Sequence, residues 1–175
     1  MKIFAVSGLS KTGKTTVIES LATELSHNGY SVAVIKHTDC KDLSLERESA
    51  DTARHRKAGA ISTILLGPSV TAIIHKRRLG LVESLGQLRQ DVIILEGFGR
   101  LNIPKIVTAA SFCDADARYC NETYAFSGII AAQTATYRNI PVINCFSDPA
   151  ALAEISLEHA LRNTERLTSV LGEDY

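Results

Sequence analysis

Eight consecutive residues, Gly8-Leu9-Ser10-Lys11-Thr12-Gly13-Lys14-Thr15, carry the groups needed to hold a polyphosphate. Glycines at the turns allow successive backbone N–H groups and a helix N-terminus to point at negative charge. Lys14 supplies a point charge for the β- and γ-phosphates, and the Thr15 hydroxyl is a ligand for Mg²⁺. With Thr16 completing the run, all nine residues are expected to contact nucleotide, and Lys14 to act in catalysis as well. Such a site also needs an acidic residue at the end of a neighbouring strand to position the metal or its waters. Glu96, the last residue of Asp91-Val92-Ile93-Ile94-Leu95-Glu96, stands at the carboxyl end of an apolar run, where open α/β sheets bind ligands. Gly97 behind it permits close backbone approach, and Asp91 at the opposite end reads as a strand-start residue.

Two further groups of residues have chemistry to offer. Lys36-His37-Thr38-Asp39 ends a second apolar run, and Asp39 is expected to touch the metal or orient water; the competing reading is a turn-forming Asp in a solvated loop. The segment LERESADTARHRK holds Arg47, Arg54, Arg56 and Lys57, which recognise an anionic ligand if they project together and otherwise form a solvated face. At helical spacing Arg47, Asp51 and Arg54 share a face and Arg56 turns away. Arg77-Arg78 poses the same alternative.

These residues require positioning elements, and the apolar periodicity supplies them. Residues 2–7 read as a strand, residues 14–28 as a helix closed by Asn28-Gly29, and residues 31–37 as a second strand, a βαβ unit with parallel strands. A charged helix over 45–58 follows. STILL (62–66) and VTAIIHK (70–76) flank Gly67-Pro68 and pair as an antiparallel hairpin. A helix over 79–90 precedes the strand at 91–96. Beyond it lie IPKIVTA (103–109), a polar irregular stretch from Cys113 to Thr123, FSGIIAA (126–132), IPVINCF (140–146) and a helix from Pro149 to Val170. Nearly continuous apolar runs separated by helices predict an α/β fold: a single-domain P-loop NTPase with a mostly parallel central sheet flanked by helices on both faces.

Composition agrees with that reading. The chain has 175 residues, 45% hydrophobic and 22% charged, in keeping with one globular domain. Lys plus Arg balances Asp plus Glu at 19 each, so no overall basic field favours nucleic acid or an anionic membrane. The N-terminal apolar run leads straight into the phosphate loop, and no stretch of about 18 apolar residues occurs. A cytoplasmic protein with no membrane or nucleic-acid partner is expected. Cys40, Cys113, Cys120 and Cys145 show no paired spacing and read as small buried hydrophobes.

Leu9 occupies the second motif position, where partition-type ATPases carry a signature lysine, which disfavours that subclass. The Asn-Lys-x-Asp segment of regulatory GTPases is missing; Asn144-Cys-Phe-Ser-Asp148 is one residue too long. The base therefore does not follow from these residues. The ordered set GLSKTGKTT, Ile35-Lys36-His37, Asp51-Thr52, Arg56-Lys57-Ala58-Gly59-Ala60, DVIILEGF and Pro104-Lys105-Ile106 resembles the molybdopterin-guanine dinucleotide biosynthesis protein B family over most of residues 1–107. That resemblance implies GTP and Mg²⁺ as ligands, slow hydrolysis, and a homodimer that assists a guanylyltransferase acting on a molybdopterin-type ligand in molybdenum or tungsten cofactor maturation. It also implies that residues 58–60 and the charged helix lie near the site, which adds Asp51 and Arg56 to the nucleotide-binding set. Family members commonly continue the EGF segment with Lys, whereas Gly99-Arg100 follows Phe98 here. Two rival functions are a small-molecule kinase with an arginine clamp, and a non-hydrolysing adaptor that switches a partner or delivers a metal.

Overall fold

In chain order the elements are β1 (Lys2–Gly8), α1 (Lys14–His27), β2 (Val32–Lys36), α2 (Asp51–Lys57), β3 (Ser62–Leu66), β4 (Thr71–His75), α3 (Leu81–Gly86), β5 (Val92–Glu96), β6 (Lys105–Thr108), α4 (Phe112–Arg118), β7 (Thr123–Ser127), a 3₁₀ turn (Ile129–Ala132), β8 (Thr136–Tyr137), β9 (Ile140–Pro141) and α5 (Pro149–His159). The structure is a computed structural model that describes residues 1–40 and 51–162. Chain contacts divide it into two units, Met1–Thr38 with Leu88–Tyr175, and Asp39–Gln87.

The first unit is built on a five-stranded sheet in the order β2-β5-β1-β6-β7, with every neighbouring pair parallel. Strands covered on both faces must be apolar throughout, and β1 and β5 are: residues 3–7 and 92–96 are buried without interruption. Alternate residues serve opposite layers. Phe4, Val6, Ile94 and Ile106 pack with Val17, Leu21 and Leu25 of α1 and Leu152 of α5. Val107 and Phe126 pack instead with Ala115 of α4 and Ile130 of the 3₁₀ turn. Asp91, read as a strand-start residue, has that role: its carboxylate accepts from the Ser31 backbone N–H (2.9 Å) and hydroxyl (2.6 Å), tying together the starts of β2 and β5. These bonds hold its carboxyl below the usual range.

The second unit contains the expected hairpin. β3 and β4 pair antiparallel from Ser62 opposite His75 to Leu66 opposite Thr71. Ile64, Leu66, Val70 and Ile73 are exposed on it. Among the described residues, no helix is long and apolar enough to cross a membrane.

Several expected boundaries are corrected. The helix expected over 79–90 is only α3, set at its start by Glu83, whose carboxylate accepts from Gly80 N–H (3.2 Å). The stretch 113–123, expected to be irregular, holds most of α4; Ser111 accepts from Asp114 N–H and Asp114 accepts from Ala110 N–H, a capping pair that the sequence displays as Ser-x-x-Asp. β7 begins at Thr123 and stops at Gly128, whose φ of 87° breaks the run read as FSGIIAA. In IPVINCF only Ile140–Pro141 forms a named strand, and Val142 adds a single parallel bridge to Phe126. α5 ends at His159 rather than near 170, because Leu161 exchanges backbone hydrogen bonds with Ile3 (both 2.9 Å), which needs extended chain. Residues 163–170 and the first part of the 45–58 helix, including Arg47, lie outside the described residues. Of the cysteines, Cys145 is buried as expected, while Cys40 and Cys113 are exposed.

Candidate functional site

The phosphate loop connects the buried β1 to α1 at the carboxyl edge of the sheet. Gly13 is the N-cap residue of α1 with φ 99°, no side chain caps the helix, and its first turn contains no acidic residue. Among the described residues, the other α-helices of this unit are capped from within, α4 by Ser111 and α5 by Asp148. The amide N–H groups and positive end of the α1 dipole thus lack internal compensation, the arrangement that attracts a phosphate.

The loop is braced from β6. Thr12 is buried; its hydroxyl donates to Leu9 C=O (2.9 Å) and lies 2.7 Å from the Thr108 hydroxyl, itself 3.2 Å from Ser7 C=O. Lys11 adopts φ 62°. Ser10 and Thr15 are exposed, while Leu9, Lys14 and Thr16 are half-buried. The Lys14 ammonium donates to Gly8 C=O (3.1 Å) and Leu9 C=O (2.5 Å). Burial pushes it below the usual lysine range; the Glu96 carboxylate opposes that shift, and the charges of Lys36 and Arg118 add to it.

Glu96 is buried at the carboxyl end of β5, as expected from its place in the run. Its Oε1 accepts from Lys36 Nζ at 2.9 Å, because the β2–β5 register sets the two residues directly side by side. Lys14, Lys36 and Glu96 therefore share one edge of the sheet, with Arg118 near enough for its charge to act on Lys14. Lys36 pairs with Glu96, and the charges of Lys36 and Arg118 both act against that of Lys14, which Glu96 supports. In the sequence Lys36 is marked only by its place before His37 and Arg118 by nothing, because the Lys36–Glu96 pair and the approach of Arg118 both join residues far apart along the chain.

The loop after Glu96 is held by a buried lysine. Lys105, 1% exposed, donates to Gly99 C=O (3.0 Å) and Leu101 C=O (2.6 Å). Phe98 is buried and meets the His37 ring edge-on at 5.5 Å between centroids. Lys105→Met keeps most of the volume but leaves the carbonyl of the buried Leu101 without its donor, at about 1–3 kcal/mol for a buried group left unsatisfied, while the carbonyl of the exposed Gly99 can turn to water. We expect a destabilisation of about 2 kcal/mol, read as a melting-temperature drop of about 4–8 °C in thermal denaturation. An unchanged melting temperature would contradict the clamp.

Asp39, Asp51 and Arg56 belong to the second unit. Asp39 is exposed; Asp51 opens α2 and accepts from Arg54 at 3.3 Å, an exposed pair three residues apart. Arg56 lies in the last turn of α2. Arg77 donates both guanidinium arms to Glu83 (2.9 and 2.7 Å), an exposed pair that, with the Gly80 N–H, lowers the Glu83 carboxyl to about 2.

Residues 3–132 match the family model described as molybdopterin guanine dinucleotide synthesis protein B. A putative molybdopterin-guanine dinucleotide biosynthesis adapter protein of Methanocaldococcus jannaschii is 38% identical over 113 residues, 61% of this chain and 47% of that protein. The chain thus spans about half the length of that relative. The Escherichia coli adapter protein is 31% identical over 112 residues, 60% of this chain and 63% of that protein. In fold, the chain resembles the crystal structure of Bacillus subtilis MobB, with a TM-score of 0.70 at 24% identity, covering 93% of this chain and 100% of the other.

Proposed function

Since the chain belongs to the molybdopterin guanine dinucleotide synthesis protein B family, we propose that it is a GTP-binding adapter for the guanylyltransferase that attaches GMP to molybdopterin. The observation that carries this reading is the uncapped N-terminus of α1, with the Lys14 ammonium held inside the loop on the Gly8 and Leu9 carbonyls and Glu96 near enough to support its charge. Residues 8–16 bind the triphosphate in this reading. The donors available for Mg²⁺ are the Thr15 hydroxyl and the Glu96 carboxylate, hard oxygens of the kind Mg²⁺ takes alongside substrate phosphates and water. Mg²⁺ when bound neutralises charge on the phosphates. The chain's own part is to hold the phosphates on backbone amides and Lys14, and to keep Glu96 oriented through Lys36. Asp39 positions water, and Asp51 and Arg56 contact the nucleotide. Turnover is slow in the absence of the partner, and the protein works as a cytoplasmic homodimer.

The test is titration of GTP and ATP with Mg²⁺, followed by capture of the guanylyltransferase with and without nucleotide. We expect GTP binding, nucleotide-dependent capture and, by light scattering, twice the mass of one chain. Failure to bind either triphosphate would remove the proposal. Stoichiometric phosphorylation of a small acceptor would favour the kinase reading.

A further inference from the structure

We infer that a cavity beside the phosphate loop seats the purine ring of the bound nucleotide, with Phe146 stacking on it and Asn144 reading its edge. This rests on residues 8–16 being the triphosphate site. The cavity, about 330 Å³, has Gly13 and Thr16 in one wall and Ile129, Asn144, Cys145 and Phe146 in the others. It falls at the low end of small-molecule sites, about 300–1,000 Å³, and suits a flat ring system. Because Gly13 and Thr16 belong to both, a ligand with phosphates on the loop carries its base toward this cavity.

The wall is pre-formed. Ser127 and Ser20 donate their hydroxyls to Ile143 C=O (2.6 Å) and Cys145 C=O (2.7 Å), and Asp148 N–H donates to Asn144 C=O (2.9 Å). So braced, the segment presents Phe146 at 78% exposure, and Ile129 across the 3₁₀ turn is 52% exposed. Large apolar groups left in water at a cavity mouth are platforms for a π-face.

Asn144 decides the edge. Its Oδ1 accepts from Phe146 N–H at 2.9 Å, so the amide is oriented and its Nδ2 amino group keeps its donors, with no protein acceptor among the described residues. Both purines offer an acceptor at N7, but at position 6 guanine offers the O6 acceptor where adenine places a donor amine. With its own carbonyl engaged by Phe146 N–H, the Asn144 donor favours guanine where it reaches position 6. No carboxylate lines the cavity among the described residues, and Asp148 accepts from Ala151 N–H (3.0 Å) as the cap of α5. The 2-amino group of guanine thus has no side-chain acceptor, and inosine triphosphate, which retains O6 and lacks that amine, is predicted to bind as well as GTP.

The experiment titrates GTP, inosine triphosphate, ATP and inorganic tripolyphosphate, all with Mg²⁺, into the full chain and two variants. In the native chain GTP and inosine triphosphate bind alike, and ATP about tenfold more weakly, the scale of one hydrogen bond. Phe146→Ala weakens all three nucleotides by about tenfold or more and leaves tripolyphosphate unchanged. Asn144→Asp keeps the acceptor for Phe146 N–H but exchanges the donor for an acceptor, so the GTP-to-ATP preference falls or reverses. The inference is overturned by nucleotide affinities unchanged in both variants, by equal losses for GTP and tripolyphosphate in Phe146→Ala, or by inosine triphosphate binding far more weakly than GTP. If the native chain binds neither GTP nor tripolyphosphate, the triphosphate reading falls as well.

Discussion

Replacing Lys14 with alanine is expected to lower triphosphate affinity by about 100-fold, since each charge-assisted hydrogen bond contributes about 1.5–3 kcal/mol. The ammonium is the cation best placed to meet phosphate, because it already sits inside the loop against Gly8 and Leu9. Burial disfavours its charge and so do Lys36 and Arg118, while only Glu96 supports it. An added polyphosphate anion relieves that imbalance, and alanine has nothing with which to respond. Folding should barely notice the change: Lys14 stands in the first turn of α1, its two acceptors are backbone carbonyls at a half-buried edge that water can reach, and alanine is a better helix former. Calorimetric titration with Mg²⁺ and GTP, paired with a thermal melt, separates the two effects. Native-like affinity in the variant would contradict the role assigned to Lys14.

Gly128→Ala is expected to act mainly on stability, with a loss of about 3 kcal/mol or more from combined backbone strain and overpacking. Gly128 has φ 87° and ψ −150°, a conformation that is essentially reserved for glycine. A Cβ there would run into the Thr12 carbonyl oxygen and stand 3.3 Å from both Ala109 C=O and the Thr108 side chain. Nothing in that wall can swing aside, since two of the three neighbours are backbone and Thr108 is fully buried against Thr12. Thermal denaturation should show the midpoint falling by about 6–12 °C, at about 2–4 °C per kcal/mol for a chain of this size. Because Thr12 belongs to the phosphate loop, triphosphate affinity should fall with it. A midpoint equal to that of the native chain would mean that the close approach of Gly128 to the loop is not maintained in solution.

The two residues differ in how far their roles show in the sequence. Lys14 is named by its spacing from Gly8 and Gly13, whereas Gly128 sits unremarked in the run FSGIIAA. The phosphate-loop glycines announce themselves because the turn they make is local. Gly128 is required by a contact with a residue more than one hundred positions away, at the junction of β1, β6 and β7. The same holds for Thr108 and Lys105, which look like ordinary members of an apolar strand and act by bracing loops that belong to other segments.

What the sequence determined alone is what rests on neighbours along the chain: the strand–loop–helix unit from β1 to α1, the hairpin of β3 and β4, and Glu96 at the carboxyl end of a continuous apolar run. Periodicity, glycine turns and strand polarity are local properties, and they survive without knowledge of the partner. The tertiary structure decided which strands are adjacent. In the order β2-β5-β1-β6-β7, register brings Lys36 onto Glu96, and Thr108 onto the phosphate loop. Sheet order is chosen by the packing of whole faces, so a salt bridge sixty residues long in sequence has no local trace. The wall of Ile129, Asn144 and Phe146 beside Gly13 has the same origin, assembled from loops that meet only because their strands do.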